Sequence, residues 1–161
     1  PKRLPVQGFE RAMDALDYLD GAKVGQRVVV IGGGLAGCEV ALELYLSGKE
    51  PVIVEMKDDL VAQDGVCLAN SSYLREFFAW KKVPVYLEST VRAIGEGWVQ
   101  ISHKDGTLER IACDSVVSAV GYAPDPISQP DGRHVQLVGD CAGVGNLRSV
   151  IWRAYEAASR V

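Results

Sequence analysis

A chain of 161 residues can bury roughly two-thirds of its unfolded surface as one ordinary domain, so it needs no disulfide staples to fold. Seventeen Lys and Arg against 21 Asp and Glu leave a net charge of −4 with no long run of either sign, which argues against a nucleic-acid partner. The longest apolar stretch, Val28 to Cys38, is eleven residues with four glycines, short of the roughly 18 that span a bilayer; no membrane partner and no signal peptide are expected.

Residues 1–24 read as a lead-in segment holding one short helical pattern, Ala12, Ala15, Leu16 and Leu19, closed by Asp20-Gly21. Arg27 to Ile31 is an uninterrupted β-branched run, as in a strand buried on both faces of a parallel sheet. Ala36 to Ser47 then places Val40, Ala41, Leu44 and Tyr45 at helical spacing, with Gly48 at the position that ends a helix. Val52 to Glu55 is a second buried strand, which completes a βαβ unit.

Asn70, Ser71 and Ser72 offer caps to a helix whose apolar face is Leu74, Phe77 and Phe78, and Val83 to Leu87 follows as a strand that Pro84 pushes toward an edge. Val91 to Ile94, Trp98 to Ser102 and Thr107 to Cys113 are short alternating runs joined by glycine turns, which predicts an antiparallel meander. Ser115 to Val120 returns to a buried-strand composition and ends at Gly121. A last strand is expected at Val135 to Val138, then a helix with Leu147, Ile151, Ala154, Tyr155 and Ala158 turned inward. Because the chain starts without Met and stops inside a helical pattern, it is expected to be a piece of a longer protein.

Cys38, Cys67, Cys113 and Cys141 form no C-x-x-C pair, so four reduced, packed thiols in a cytoplasmic protein are expected. His103 and His134 lack ligand-spaced partners and read as surface residues. No metal site, nucleophile or acid–base pair emerges from the pattern.

Gly32-Gly33-Gly34-Leu35-Ala36-Gly37 satisfies G-x-G-x-x-G, a weak signal by itself. Here it follows a buried strand, opens a helix, and precedes an acid at the end of the next strand, Glu55, 18 residues after Gly37. Gly32 permits the tight turn, Gly34 lets the backbone approach a pyrophosphate, and Gly37 lets the helix pack closely on the strands. The helix amino end then stabilises an anion without a basic side chain. A carboxylate at Glu55 accepts from a ribose 2′-OH and repels a 2′-phosphate, which points to NAD(H) over its phosphorylated form, with Lys57 as a partial counterweight.

Four segments carry a family likeness: Val28 to Glu39, Val52-Ile53-Val54-Glu55-Met56, Ser118-Ala119-Val120-Gly121-Tyr122-Ala123-Pro124-Asp125, and Val138-Gly139-Asp140-Cys141. On these the chain resembles the nicotinamide- and flavin-binding region of NADH:flavin oxidoreductases of the old yellow enzyme type, a group that includes dienoyl-CoA reductases, enoate reductases and trimethylamine dehydrogenase. The resemblance implies an NAD-binding domain set into an FAD-binding domain. It implies that the segment through Gly121 marks the passage back to the FAD side. It places Gly139 and Asp140 against the FAD ribityl chain and Glu39 near the nicotinamide. From the residues alone, Glu39 also reads as an ordinary acid at a helix start, and Asp140 as a cap for the last helix.

The family's own FAD glycine turn, its FMN barrel and its iron–sulfur cysteines are not in this chain, and the stretch from Asp125 to Val135 is short against the family. FAD, FMN and an iron–sulfur cluster would therefore be held with the missing domains of the parent chain.

The expected fold class is α/β: a Rossmann-like three-layer NAD(P)-binding domain with a small antiparallel meander at 25–124, then the terminal strand and helix of a truncated FAD-binding domain at 125–161. The expected function is an NADH-binding module of a flavin-dependent oxidoreductase, presenting NADH for hydride transfer to FAD. The alternatives are a non-catalytic ADP- or NAD-holding module and a thioredoxin-reductase-like domain, the latter disfavoured by the lack of C-x-x-C. Binding is assigned to Gly32, Gly33, Gly34, Leu35, Ala36, Gly37, Glu39, Glu55, Met56, Gly121, Gly139 and Asp140.

Overall fold

A computed structural model describes residues 1–62, 65–126 and 136–160. It divides into a larger unit, Arg3–Val120, and a smaller one formed by Pro1–Lys2 with Gly121 onward.

The larger unit holds β1 (Met13–Asp14), α1 (Ala15–Leu19), β2 (Arg27–Ile31), α2 (Leu35–Leu46), β3 (Glu50–Val54), α3 (Leu68–Lys81), β4 (Val85–Tyr86), β5 (Thr90–Gly95), β6 (Trp98–Ser102), β7 (Leu108–Ala112) and β8 (Ser115–Ser118). Five of the strands form an all-parallel sheet in the order β1-β8-β2-β3-β4. The other three form the expected antiparallel meander, with a bulge between Val91 and Ala93.

Alternation along β2 explains its unbroken apolar run. Val28 and Val30 pack with Cys38, Val40, Ala41, Leu44 and Phe78 from the helices, whereas Val29 and Ile31 pack with Val91, Val99, Ile101 and Ile111 from the meander. Helices, parallel sheet and meander are thus three layers, and a strand in the middle layer has no face left for a polar side chain. The in-register pairing of Ile31 with Val54 and with Ser118 brings the ends of β2, β3 and β8 level.

Several local expectations change. The lead-in is part of the domain: β1 pairs with β8 as an outer strand and Ala15 is buried in the helix-side core. Helix α3 starts at Leu68 behind Cys67, with no side-chain cap, so Asn70, Ser71 and Ser72 lie inside it. Ser71 is buried and donates to the Leu68 carbonyl, satisfying its hydroxyl within the helix. Pro84 immediately precedes β4, a two-residue strand at the sheet edge.

His103 is half-buried rather than free on the surface. Its Nε2 lies 2.9 Å from Glu109 Oε2 and its Nδ1 3.2 Å from Ser89 Oγ, and the Tyr86 hydroxyl donates to the same Glu109 carboxylate at 2.9 Å. These groups join the meander to the edge of the parallel sheet. His134 lies outside the described residues.

The smaller unit contains a 3-10 turn, Gly139–Cys141, and α4 (Leu147–Ala158), capped reciprocally by Asn146 and Ser149. The strand expected at 135–138 is not formed over Gln136–Val138, and Val135 lies outside the described residues. Nor is the apolar face of α4 inward: Leu147 is 76% exposed, and Ile151 and Tyr155 are also exposed. Both outcomes have one cause, since the described residues of this unit contain no sheet for a strand to pair with or a helix to cover. No helix among the described residues is long and apolar enough to cross a membrane.

Phe78, 1% exposed and edge-on to Phe77, is the largest fully buried side chain. Phe78→Ala should cost about 3–5 kcal/mol of stability, read from the shift in a urea unfolding curve.

Candidate functional site

The glycine turn leaves β2 at a point where two close approaches exclude any side chain. Gly32 has φ +103, and a Cβ there would stand 2.6 Å from the Ala119 carbonyl oxygen. A Cβ on Gly37 would stand 1.9 Å from the Gly32 carbonyl oxygen, so α2 lies directly against the turn that starts it. Gly34 is the N-cap of α2, with an extended backbone and no side-chain cap, which leaves the helix amino end to a ligand or water. Leu35 and Gly34 are half-buried, and Ala36 is exposed.

The turn is held from both sides of the Gly33 peptide. Its N–H donates to Glu55 Oε2, and its carbonyl accepts from the Val61 N–H at 2.7 Å and from the Cys38 thiol at 3.3 Å. Glu55 follows β3 directly and is 7% exposed; its Oε1 accepts the Lys57 N–H at 2.8 Å. The expected ribose acceptor is therefore first an organiser of the loop, with a further lone pair on each oxygen for a ligand hydroxyl. Sequence spacing locates an acid at the strand end but cannot give the direction of its carboxylate.

Met56 is 71% exposed beside this turn, and the Lys57 amine is turned onto the Ala62 carbonyl. A cavity of about 630 Å³ opens next to it, lined among others by Lys57, Val61, Ser71 and Arg75. Arg75 faces it while forking onto Asp59, with contacts of 3.0 and 2.9 Å. Neither Ser71 nor Arg75 is expected at a site from the sequence, where Ser71 reads only as a helix cap and Arg75 belongs to no pattern.

The remaining assigned residues lie on other elements. Glu39 is exposed on α2, just beyond its first turn. Gly121, Gly139 and Asp140 belong to the smaller unit. Gly121 accepts the Lys2 N–H at 2.9 Å, Gly139 is buried, and Asp140 is exposed with Oδ1 accepting from the Gly145 N–H at 3.2 Å. Asp140 does not cap α4, because Asn146 does. The described residues contain no cluster of three or more acidic, histidine or cysteine groups able to hold a metal.

Residues 1–137 match the family described as pyridine nucleotide-disulphide oxidoreductase. The chain belongs to that family. Cinnamate reductase of Clostridium sporogenes is 35% identical over 168 residues, covering 100% of this chain and 25% of the relative. NADH oxidase of Thermoanaerobacter brockii is 29% identical over 148 residues, 84% of this chain and 21% of the relative. A solved 2-naphthoyl-CoA reductase superposes with a TM-score of 0.85 at 26% identity, over 100% of this chain and 25% of the other. The chain thus spans about a quarter of the length of such relatives.

All four cysteines are free thiols, and only Cys38 and Cys113 are packed as expected. Burial, then the Glu55 charge, pushes the Cys38 thiol from 9.0 up to about 12. A raised acid keeps its proton in the folded state, so this contribution to stability is complete below pH 9 and is lost as pH climbs toward 12. At pH 8, iodoacetamide should label exposed Cys67 and spare Cys38 until urea unfolds the chain. Peptide mass mapping reads the outcome, and labelling of folded Cys38 at the rate of Cys67 would contradict it.

Proposed function

We propose that this chain is the NADH-binding module of a flavin-dependent oxidoreductase of the old yellow enzyme type, and that it positions NADH for hydride transfer to FAD in the parent protein. The observation that carries the reading is the side-chain-free turn from β2 into α2, where Gly32 and Gly37 meet backbone that a Cβ would overlap. The likeness to an enzyme named NADH oxidase supports the choice of nucleotide. The named reductases among the relatives support a reductive parent, whose substrate would be bound by domains outside this chain.

In this reading Gly34 and Leu35 take the pyrophosphate at the amino end of α2, where the partial positive charge of the helix stabilises it. Glu55 holds Gly33 in place and offers its second lone pairs to the ribose diol. Met56 borders the adenosine side, and Glu39 the nicotinamide side. When bound, nicotinamide supplies the hydride and flavin receives it. No side chain of this module has to move a proton.

The described residues fit one dinucleotide and not two. Asp140 would meet the FAD ribityl chain with the oxygen that Gly145 leaves it, and Gly121 and Gly139 would border it. A second glycine turn leading from a strand into a helix is absent among the described residues, so FAD needs the rest of its domain. FMN and an iron–sulfur cluster belong, in this reading, to other domains of the parent.

Calorimetric titration tests the module directly. NADH should bind more tightly than NADPH, and Glu55→Gln, which keeps an acceptor for Gly33 but removes the charge, should narrow the preference by about 1–3 kcal/mol. Equal affinities in the unaltered chain would contradict the role given to Glu55.

Gly34→Val should abolish NADH binding, because the added side chain takes the space of the pyrophosphate, while circular dichroism stays close to that of the unaltered chain. A folded variant with unchanged affinity would sink the phosphate-cradle reading.

A further inference from the structure

The carboxyl ends of β2 and β3 carry the glycine turn; the opposite ends carry a different chemistry. At Arg27, the first residue of β2 and roughly 17 Å along the strand from Gly32, a cavity of about 420 Å³ opens among the starts of β2, β3 and β4. Its rim is cationic: Arg27, Lys49, Lys81 and Lys82 stand against one carboxylate, Glu50, in a chain whose net charge is −4. Its walls are apolar and aromatic, with Tyr45 of α2, Val83, and Ile111 of the meander among them.

Two facts separate this rim from ordinary surface charge. First, its cations are poorly neutralised. Arg27 lies 3.5 Å from Glu50 with both side chains about half exposed, and such a pair is weak. Lys49 donates to the Val24 carbonyl at 3.3 Å, Lys81 sits 3.5 Å from the Trp80 ring centroid, and among the described residues no carboxylate pairs with Lys49, Lys81 or Lys82.

Second, no single helix end explains the cluster. The negative carboxyl end of α3 favours Lys81 and Lys82, and that of α2, whose Leu44 carbonyl accepts the Lys49 N–H, favours Lys49; Arg27 comes from β2 and meets these three at the cavity, so the cluster draws on three separate elements. Lys82 is also held at φ 54, a conformation that Gly or Asn adopts at less cost.

We propose that this end of the sheet is a second binding site, for a small amphipathic anion: an aromatic or aliphatic body seated on Tyr45, Val83 and Ile111, with one carboxylate or phosphate head among Arg27, Lys49 and Lys82. The volume suits such a ligand, since small-molecule pockets run from roughly 300 to 1,000 Å³ and combine apolar walls with a few placed charges. The head gains several cations at once while displacing no buried ion pair. The body covers the part of the Tyr45 ring that stays exposed and the rims of buried Val83 and Ile111. The site is separate from the glycine turn and does not depend on which nucleotide binds there.

Nitrogen–proton NMR titrations of the chain test this with three probes: 4-phenylbutyrate, the uncharged 4-phenylbutan-1-ol, and acetate. Phenylbutyrate should shift the amides of Lys49, Lys82 and Val83 saturably while Gly33 and Gly34 stay still, and the alcohol and acetate should bind at least about tenfold more weakly. The double variant Lys49→Gln/Lys82→Gln should lose about tenfold in phenylbutyrate affinity, as should the unaltered chain in about 0.5 M NaCl. Acetate or the alcohol binding as tightly as phenylbutyrate would overturn the amphipathic site. So would the absence of saturable shifts up to about 10 mM, or a salt-independent affinity.

Discussion

The hydrogen bond from the Gly33 N–H to Glu55 organises the candidate site. It ties the turn after β2 to the end of β3, and the second oxygen of the same carboxylate ties in Lys57. A carboxylate that is 7% exposed would be costly to leave unpaired, so its burial depends on these two charge-assisted bonds. Val61 closes the other side of the Gly33 peptide, which leaves the turn little freedom before any ligand arrives. A phosphate meeting such a turn would have less ordering entropy to overcome than at a loose glycine loop.

That clamp can form only because the strands deliver its partners level. Val28 and Val30 face the helices while Val29 and Ile31 face the meander, and slipping the register by one residue would exchange the two sets. Both faces being buried, the exchange would place every side chain of β2 against the wrong layer. The pairing of Ile31 with Val54 is thereby specified, and with it the meeting of Gly33, two residues past Ile31, with Glu55, one past Val54. Core packing and site geometry are the same constraint at this point.

Much of this was legible from residue order. An unbroken β-branched run, a glycine turn and an acid at the next strand end are local signals, and each fell where it was expected. Beyond local reach the sequence is silent. A two-residue strand such as β1 shows no periodicity, so its place beside β8 comes from tertiary pairing. The apolar spacing of α4 predicts an inward face, yet spacing says only that one side is apolar and not what covers it. The cationic cavity gathers residues from Arg27 to Ile111, positions too far apart for any motif to join.

A crystal structure of the chain with NADH would test the account most directly. The account predicts the pyrophosphate against the Gly34 and Leu35 amides, the ribose within hydrogen-bond reach of Glu55, and the bond from Gly33 to Glu55 unchanged. A dinucleotide seated elsewhere, or a Glu55 side chain swung out of the turn to reach it, would contradict the claim that this carboxylate first builds the loop and then receives the ligand.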